Sequence, residues 1–266
     1  MRYLFFLFAA CLMLSTGCLW EAQKKSEPDI TSDTLHYQYT TFKHRAPDCG
    51  DKADSNCTVI SIEYPVFEGQ PTLNDTIRHR AATLFTVNNT PDTNLNAFAE
   101  KFIKAYQTDM VNRNSKISYT LETKLIVTRQ DSALLTTTLS GYSFQGGAHG
   151  SSLTMFINWD TEAKRYIALT DLLTDGANKG LDSVAQSIFR KQEKLTPTQS
   201  LKDNYFFTND VFALPDNFMI TPTGLRFLYN EYEIKPYAAG QTELFIPYDQ
   251  IKPLLKPNTV VSQYIH

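Results

Sequence analysis

Residues 144–150, "FQGGAHG", place three glycines and an alanine around a single histidine, directly after a run of residues typical of a β-strand. Glycine allows positive φ or a close backbone approach, so this segment predicts a point where a strand bends or changes sheet. We expect Ala148 to be buried at this point. We expect His149 to form hydrogen bonds to backbone or carboxylate groups that stabilise the bend or the change of sheet. The other interpretations of His149 are contact with a ligand and catalysis.

Catalysis by His149 would need partner residues at suitable spacing. A nucleophilic serine or cysteine also requires an orienting carboxylate, and "HGSS" (149–152) lacks the G-x-S-x-G pattern. A zinc site needs two or more ligands at set spacing, but the five histidines form no H-x-H or H-x-x-x-H pair. We therefore predict no catalytic residues, no metal and no cofactor, and we expect that the chain is not an enzyme.

Strand-like alternation of β-branched and aromatic residues continues on both sides of this segment. It occupies residues 35–43, 57–67, 116–130, 133–145 and 152–169. We expect the first two runs to form a hairpin across the loop that Cys49 and Cys57 bracket. The last run is expected to fold back on itself, with its turn at 160–163.

Three segments have apolar residues at helical spacing, namely 72–85, 93–110 and 178–194. Asp171 and Asp175 flank a short helical turn, where helix capping explains them better than a pair of catalytic acids. Near the end, 218–234 predicts two short strands and 242–255 a strand that runs into a final helix. Because strands and helices come in blocks, the class is α+β, with a mostly antiparallel sheet and about four helices.

Three short motifs follow one another along the chain: "GGAHG" (146–150), "LTDLL" (169–173) and "YEIKPYAAG" (232–240). Their order and spacing resemble the RsiV-like C-terminal domain family, which also occurs beside PdaC-type deacetylases. The resemblance implies one α+β unit in two halves, here 34–114 and 115–266. It also implies a protein partner, since RsiV binds lysozyme through this domain. The activity of the deacetylase is not expected to transfer.

The candidate binding residues lie in the motifs 146–150 and 232–240, and one of them directly precedes the second motif. Exposed tyrosines favour binding surfaces, although aromatic residues at strand ends more often belong to a core. Glu231 and Glu233 are two apart on a predicted strand and would share a face, where they either attract a basic partner or are simply solvated. The predicted binding residues are His149, Glu231, Tyr232, Glu233 and Tyr237. The predicted binding loops are 145–150, 160–164 and 232–240.

The N-terminal residues "MRYLFFLFAACLMLSTGC" (1–18) combine a basic residue, a short apolar run and small residues before a cysteine. This is the architecture of a secretory signal, too short to span a bilayer stably. The ending resembles a bacterial lipobox, although Ser15 replaces the usual large aliphatic residue. We predict a signal peptide over 1–17, a lipidated Cys18 and a flexible tether over 18–33. The alternative is a secreted protein whose Cys18 lies inside the cleaved peptide.

The predicted export constrains the remaining cysteines and the partners. Cys49 and Cys57 are expected to form a disulfide, because their spacing matches neither a zinc site nor a C-x-x-C redox pair. Cleavage before Cys18 removes Arg2 and no acidic residue, which leaves 24 Lys and Arg against 28 Asp and Glu, a formal charge of −4. With this charge balance we expect no basic surface that would bind nucleic acid.

Together these features predict an exported lipoprotein anchored to a membrane, in the outer membrane and facing the periplasm if the host has two membranes. Its predicted function is non-catalytic binding of a lysozyme-like or other cationic envelope protein. The alternatives are an envelope structural or peptidoglycan-binding protein and a hydrolase with an unrecognised site.

Overall fold

The computed structural model describes residues 34–87, 90–92, 94–113, 116–131 and 133–265. The predicted signal peptide, Cys18 and the tether lie outside these described residues. Within them, no helix has the length and apolar character needed to span a membrane.

Six strands form the first sheet and follow one another in chain order. They are β1 (Tyr37–Arg45), β2 (Val59–Phe67), β3 (Thr120–Gln130), β4 (Leu134–Phe144), β5 (Ser151–Asp160) and β6 (Arg165–Tyr166). Every neighbouring pair is antiparallel except β2 and β3, which are parallel. A parallel pair needs a long crossover connection, and here the segment between β2 and β3 contains two helices.

Those helices, α1 (Pro71–Thr83) and α2 (Leu95–Arg113), cover one face of the first sheet. Strand alternation directs Ile60, Ile62 and Leu121 towards them. These side chains and the helical Ile77 and Phe102 are almost completely buried in one core. In the described part of the chain, the opposite face of the sheet carries polar residues and stays open.

A second, smaller antiparallel sheet contains β7 (Phe218–Ile220), β8 (Gly224–Tyr229) and β9 (Thr242–Pro247). The helices α3 (Leu169–Leu172), α4 (Asn178–Gln192) and α5 (Tyr248–Ile251) accompany it. Leu181 and Phe189 of α4 pack with Phe218, Phe227 and Leu244 of the sheet in a second core. The amphipathic pattern of α4 thus buries its apolar stripe against this sheet.

The outer edge of β5 is satisfied mainly by side chains from the second sheet rather than by another strand. The backbone N–H of Thr154 donates to Asn230 Oδ1 at 2.8 Å, and that of Phe156 donates to Asn217 Oδ1 at 2.9 Å. Asn217 Nδ2 in turn donates to the Thr154 carbonyl at 2.8 Å. Asn217 immediately precedes β7 and Asn230 immediately follows β8, so these bonds attach the second sheet to the first.

Asn158 of β5 makes the buried part of the same attachment. Its Nδ2 donates to the Phe218 carbonyl at 2.8 Å, and its Oδ1 accepts from the Ile220 N–H at 2.9 Å. Its side chain is inaccessible to solvent. Buried polar groups of this kind stabilise a fold only when every member finds a partner, as happens here.

The α+β class with mostly antiparallel sheets is confirmed, and the predicted segments 72–85, 93–110 and 178–194 are helical apart from small shifts at their ends. The hairpin of the first two strands is confirmed by the antiparallel register of β1 and β2. Cys49 and Cys57 form the expected disulfide in the loop of that hairpin. The division at 114/115 stays a prediction.

Three expectations about loops were wrong. Segment 145–150 joins β4 and β5, which are neighbours in one sheet, so the chain turns back there and the expected alternative of a change of sheet is wrong. Ala148 is exposed rather than buried, because the loop projects beyond the sheet. Glu231 and Glu233 lie in a turn after β8 and not on a strand.

We predict that Asn158→Ala lowers the free energy of unfolding by about 2–4 kcal/mol, because it leaves one buried N–H and one buried carbonyl without partners. Urea unfolding followed by circular dichroism measures the change. Asn204→Ala, at an exposed position without a side-chain hydrogen bond among the described residues, serves as the control and should cost at most about 0.5 kcal/mol. Equal losses in both variants would contradict this role of Asn158.

Candidate binding site on the open face of the first sheet

Three aromatic side chains meet beside the β4–β5 loop, and we call them the aromatic cluster: His149, Tyr232 and Tyr237. The His149 ring stacks on Tyr237 with a centroid distance of 4.1 Å and an interplanar angle of 18°. Tyr232 lies 6.2 Å from His149 and 5.7 Å from Tyr237. His149 and Tyr232 are exposed and Tyr237 is half-buried, so the cluster presents aromatic surface to solvent.

The local backbone explains how these rings are presented. Gly146 and Gly147 adopt φ of 82° and 97°, a region that glycine enters without steric cost. Tyr232 also has a positive φ, 66°, which is unusual for a bulky residue and turns its ring towards His149. Tyr237 begins a short 3-10 turn, Tyr237–Ala239, directly after Pro236.

The hydrogen bonds of His149 indicate its tautomer. Its Nδ1 lies 2.8 Å from the Gly150 carbonyl oxygen, which can only accept, so Nδ1 carries the proton. In the neutral ring Nε2 is then an acceptor, and it receives the Tyr232 hydroxyl at 3.2 Å. As expected, His149 bonds to backbone, but it does so at the surface and within its own loop.

A groove of about 720 Å³ lies next to the aromatic cluster, on the open face of the first sheet. The register of the strands places Glu122 opposite both Ser61 and Tyr142, and Tyr142 opposite Ser152, in one row across four strands. The strand residues that line the groove include Ser61, Glu63, Glu122, Lys124, Ser140, Tyr142, Ser152 and Thr154. Glu231 and Gln241, from the segment between β8 and β9, close one end.

The groove carries more negative than positive charge. Glu63 and Lys124 form an ion pair at 3.3 Å. Glu231 Oε2 accepts from the Ser152 N–H at 3.3 Å, in line with the asparagine contacts along the edge of β5. The Glu122 side chain has no hydrogen bond or ion pair with any described residue, and the residue is exposed. Its carboxylate is therefore available to a ligand at little desolvation cost.

Tyr142 connects the groove to the aromatic cluster. A Cβ at position 150 would overlap the Tyr142 ring, so glycine at 150 allows the β4–β5 loop to pass directly over this tyrosine. Tyr142 remains 42% exposed and lines the groove. The groove and the aromatic cluster consequently form one continuous surface, which we call the binding face.

The structure brings together four of the predicted binding residues, His149, Glu231, Tyr232 and Tyr237. Glu233 lies beside them, exposed, and its Oε1 accepts weakly from Asn230 Nδ2 at 3.4 Å. The turn at 160–164 lies at the opposite end of β5, ten residues from the β4–β5 loop, so it belongs to a different surface. Among the described residues, no group of three His, Cys, Asp or Glu side chains could hold a metal ion.

The N-cap of α3 is Ala168, and the expected capping contact comes from Asp171, the third residue of the helix. Its Oδ2 accepts from the Ala168 N–H at 2.8 Å and from Arg165 at 2.9 Å. Partial burial opposes ionisation, but the Ala168 N–H and the Arg165 guanidinium together hold the pKa of Asp171 below its usual value. The carboxylate therefore stays ionised at the start of α3.

Sequence reasoning missed Glu122 and Tyr142. Strand alternation in 116–130 and 133–145 assigns them to the face opposite the apolar residues. That signal alone did not show that this face stays uncovered, or that the two residues lie opposite each other across β3 and β4.

Comparison with known proteins supports the expected relationship in part. Residues 51–152 match a family model described as deacetylase PdaC, and residues 170–249 match one described as a protein of unknown function, DUF3298. The chain is therefore similar to the first model over one segment and to the second over a later one. His149 lies in the first and Tyr232 and Tyr237 in the second, so the aromatic cluster joins them. The RsiV-like relationship stays a prediction.

Two crystal structures of DUF3298 family proteins share this fold. The protein from Bacteroides fragilis NCTC 9343 is 26% identical with a TM-score of 0.67, and the alignment covers 87% of this chain and 98% of that one. The protein from Pseudomonas aeruginosa PAO1 is 24% identical with a TM-score of 0.66, and the alignment covers 85% and 96%, respectively. No curated protein matches the chain.

We predict that His149→Ala lowers the free energy of unfolding by only about 0.5–1.5 kcal/mol, the size of one aromatic contact, because the ring is exposed. The change should accelerate amide hydrogen exchange in 231–239 while leaving β4 and β5 protected. Mass-detected hydrogen exchange and urea unfolding test this, with His79→Ala on the exposed side of α1 as control. A loss of protection throughout the first sheet would instead make His149 a residue on which the fold depends.

Proposed function

We propose that this chain is a non-catalytic binding module of the cell envelope, which binds a cationic protein of the lysozyme type on its binding face. The observation that carries the proposal is the combination of an unpaired, exposed Glu122 carboxylate with exposed aromatic rings on one continuous surface. Large aromatic side chains supply contact area at interfaces, and carboxylates select the charge of the partner.

Charge complementarity supports a cationic partner. The groove contains Glu63, Glu122 and Glu231 against Lys124 alone, and the chain from Cys18 onwards has a formal charge of −4. The Glu63–Lys124 pair is exposed on both sides, and such pairs contribute little stability. A basic partner can therefore replace Lys124 as the ion pair of Glu63 without destabilising the sheet. Long-range attraction would also accelerate encounter at low salt.

The surroundings of His149 support a binding role rather than catalysis. Its Nδ1 donates to the carbonyl of Gly150, whereas a Ser–His–Asp arrangement requires a carboxylate at that nitrogen. Its Nε2 is engaged by Tyr232, which holds the ring in the aromatic cluster. The residue thus organises a surface, and the ligand meets the stacked rings.

A glycan ligand is the second candidate, favoured by one observation. The exposed Tyr142 ring lies among the hydroxyls of Ser140, Ser152 and Thr154 in an open groove. A sugar binds at such a site by placing the apolar face of its own ring against the aromatic side chain and by forming hydrogen bonds through its hydroxyl groups. In this case binding would depend on Tyr142 and would be insensitive to salt.

We expect the purified full-length chain to bind a c-type lysozyme at low salt, with affinity that falls as salt rises. Glu122→Lys should weaken binding by at least about tenfold, because it places a like charge opposite the partner. Glu100→Lys, an exposed change on α2 away from the groove, provides the control with the same change in net charge. Biolayer interferometry at two salt concentrations measures both.

Two outcomes would count against the protein-binding proposal. If both variants weaken binding equally, net charge and not the groove is responsible. If the folded protein retains no lysozyme at low salt but is retained by purified peptidoglycan in a manner abolished by Tyr142→Ala, the glycan function replaces it.

We also propose that the chain is held at a membrane by lipid on Cys18. Its support is the signal architecture of residues 1–18, which the sequence alone provides. Cells given radioactive palmitate should label the wild-type protein, and Cys18→Ala should be unlabelled and released from the membrane fraction. Label that persists in the variant would disprove lipidation at this residue.

A further inference from the structure

A second cavity, of about 660 Å³, lies on the helix-covered side of the first sheet and is separate from the binding face. It opens between α1, the β5–β6 hairpin, α4 and the loop that precedes β7. Met155 lines it, whereas the neighbouring Thr154 lines the groove, because successive side chains of β5 point to opposite faces. We call this cavity the cleft.

The cleft contains a guanidinium without an acidic partner. The guanidinium of Arg80, on α1, lies over the Tyr166 ring, 4.7 Å from its centroid, and makes no ion pair or hydrogen bond with any described residue. The Tyr166 hydroxyl likewise has no hydrogen-bond partner in the described part of the chain. Arginine normally binds carboxylates through its planar set of donors, and here that set remains unused.

Two carboxylates in the same cleft are also unpaired. Asp182 of α4 and Asp216 of the loop before β7 line it, are exposed, and form no hydrogen bond or ion pair among the described residues. Burial raises the pKa of Tyr166, Arg80 opposes this rise and Asp216 adds to it, so both charges act on the phenol. Opposite charges therefore surround one cavity without neutralising each other.

The remaining walls are mainly apolar and include three neutral polar side chains, Thr170, Asn178 and Asn217. Leu169, Leu181 and Leu214 line the cleft between the charged groups. Cavities of a few hundred cubic ångströms with apolar walls and a few convergent polar groups are the usual form of small-molecule sites. A purely cationic ligand would be repelled by Arg80, and a purely anionic one by the two carboxylates.

We propose that the cleft binds a small zwitterionic ligand of the short-peptide class. The ligand's carboxylate is recognised by Arg80, and its ammonium group by Asp182 and Asp216. Its aliphatic side chains contact the leucines between them. This site is independent of the binding face, so it stands whether or not lysozyme or glycan binds there.

Titration calorimetry of the full-length chain tests the proposal with three probes, namely trialanine, N-acetyl-trialanine and trialanine amide. Trialanine should bind with a dissociation constant below about 10 mM. Blocking either end should weaken binding about 10- to 100-fold, since each block removes one charge-assisted contact. If trialanine does not bind, or if the blocked forms bind equally well, the proposal is overturned.

Substitutions in the cleft test which residue recognises each end of the peptide. Arg80→Gln should weaken trialanine about 10- to 100-fold and leave the weak binding of trialanine amide unchanged. Asp182→Asn combined with Asp216→Asn should weaken trialanine and leave N-acetyl-trialanine unchanged. Arg78→Gln, two positions away on α1 and paired with Asp75 outside the cleft, is the matched control and should bind like wild type. Equal weakening of all probes by Arg80→Gln would refute direct recognition of the carboxylate.

Discussion

The outer edge of β5 is the constraint on which the rest of the structure depends. A strand edge presents N–H and carbonyl groups that must find partners or remain exposed to water and to other chains. Here β6 pairs with only the last two residues of β5, and side-chain oxygens from Asn217, Asn230 and Glu231 accept the N–H groups further along. Asn158 completes the attachment in the interior. These contacts fix the position of the second sheet along β5.

This attachment also creates the two candidate sites. Asn230 and Glu231 begin the turn that carries Tyr232, so fastening them to β5 brings Tyr232 to His149. On the other face of β5, the same docking places the loop before β7 opposite α1 and encloses the cleft. One strand thus positions an open, acidic face on one side and a partly apolar cavity of mixed charge on the other.

Two of the three wrong expectations about loops have a common physical cause. Glycines in 144–150 correctly indicated a turn, but glycine specifies a permitted backbone conformation and not which strands it joins. The alternation in 218–234 suggested that Glu231 and Glu233 continue a strand. In the structure β8 ends at Tyr229, because the side chains of Asn230 and Glu231 pair with β5 and the chain must turn away.

The sequence by itself determined the α+β class and the positions of most strands and of the three long helices, because the periodicity of apolar residues shows which face of each element is buried. It also determined the Cys49–Cys57 pair, because the two cysteines are close in the chain and the protein is predicted to be exported. Only the tertiary structure decided that His149 meets Tyr232, 83 residues away, and that Arg80 shares a cleft with Asp182 and Asp216. Local patterns carry no information about which distant segments meet. That was decided by the packing of the two sheets and by the buried asparagine contacts that join them.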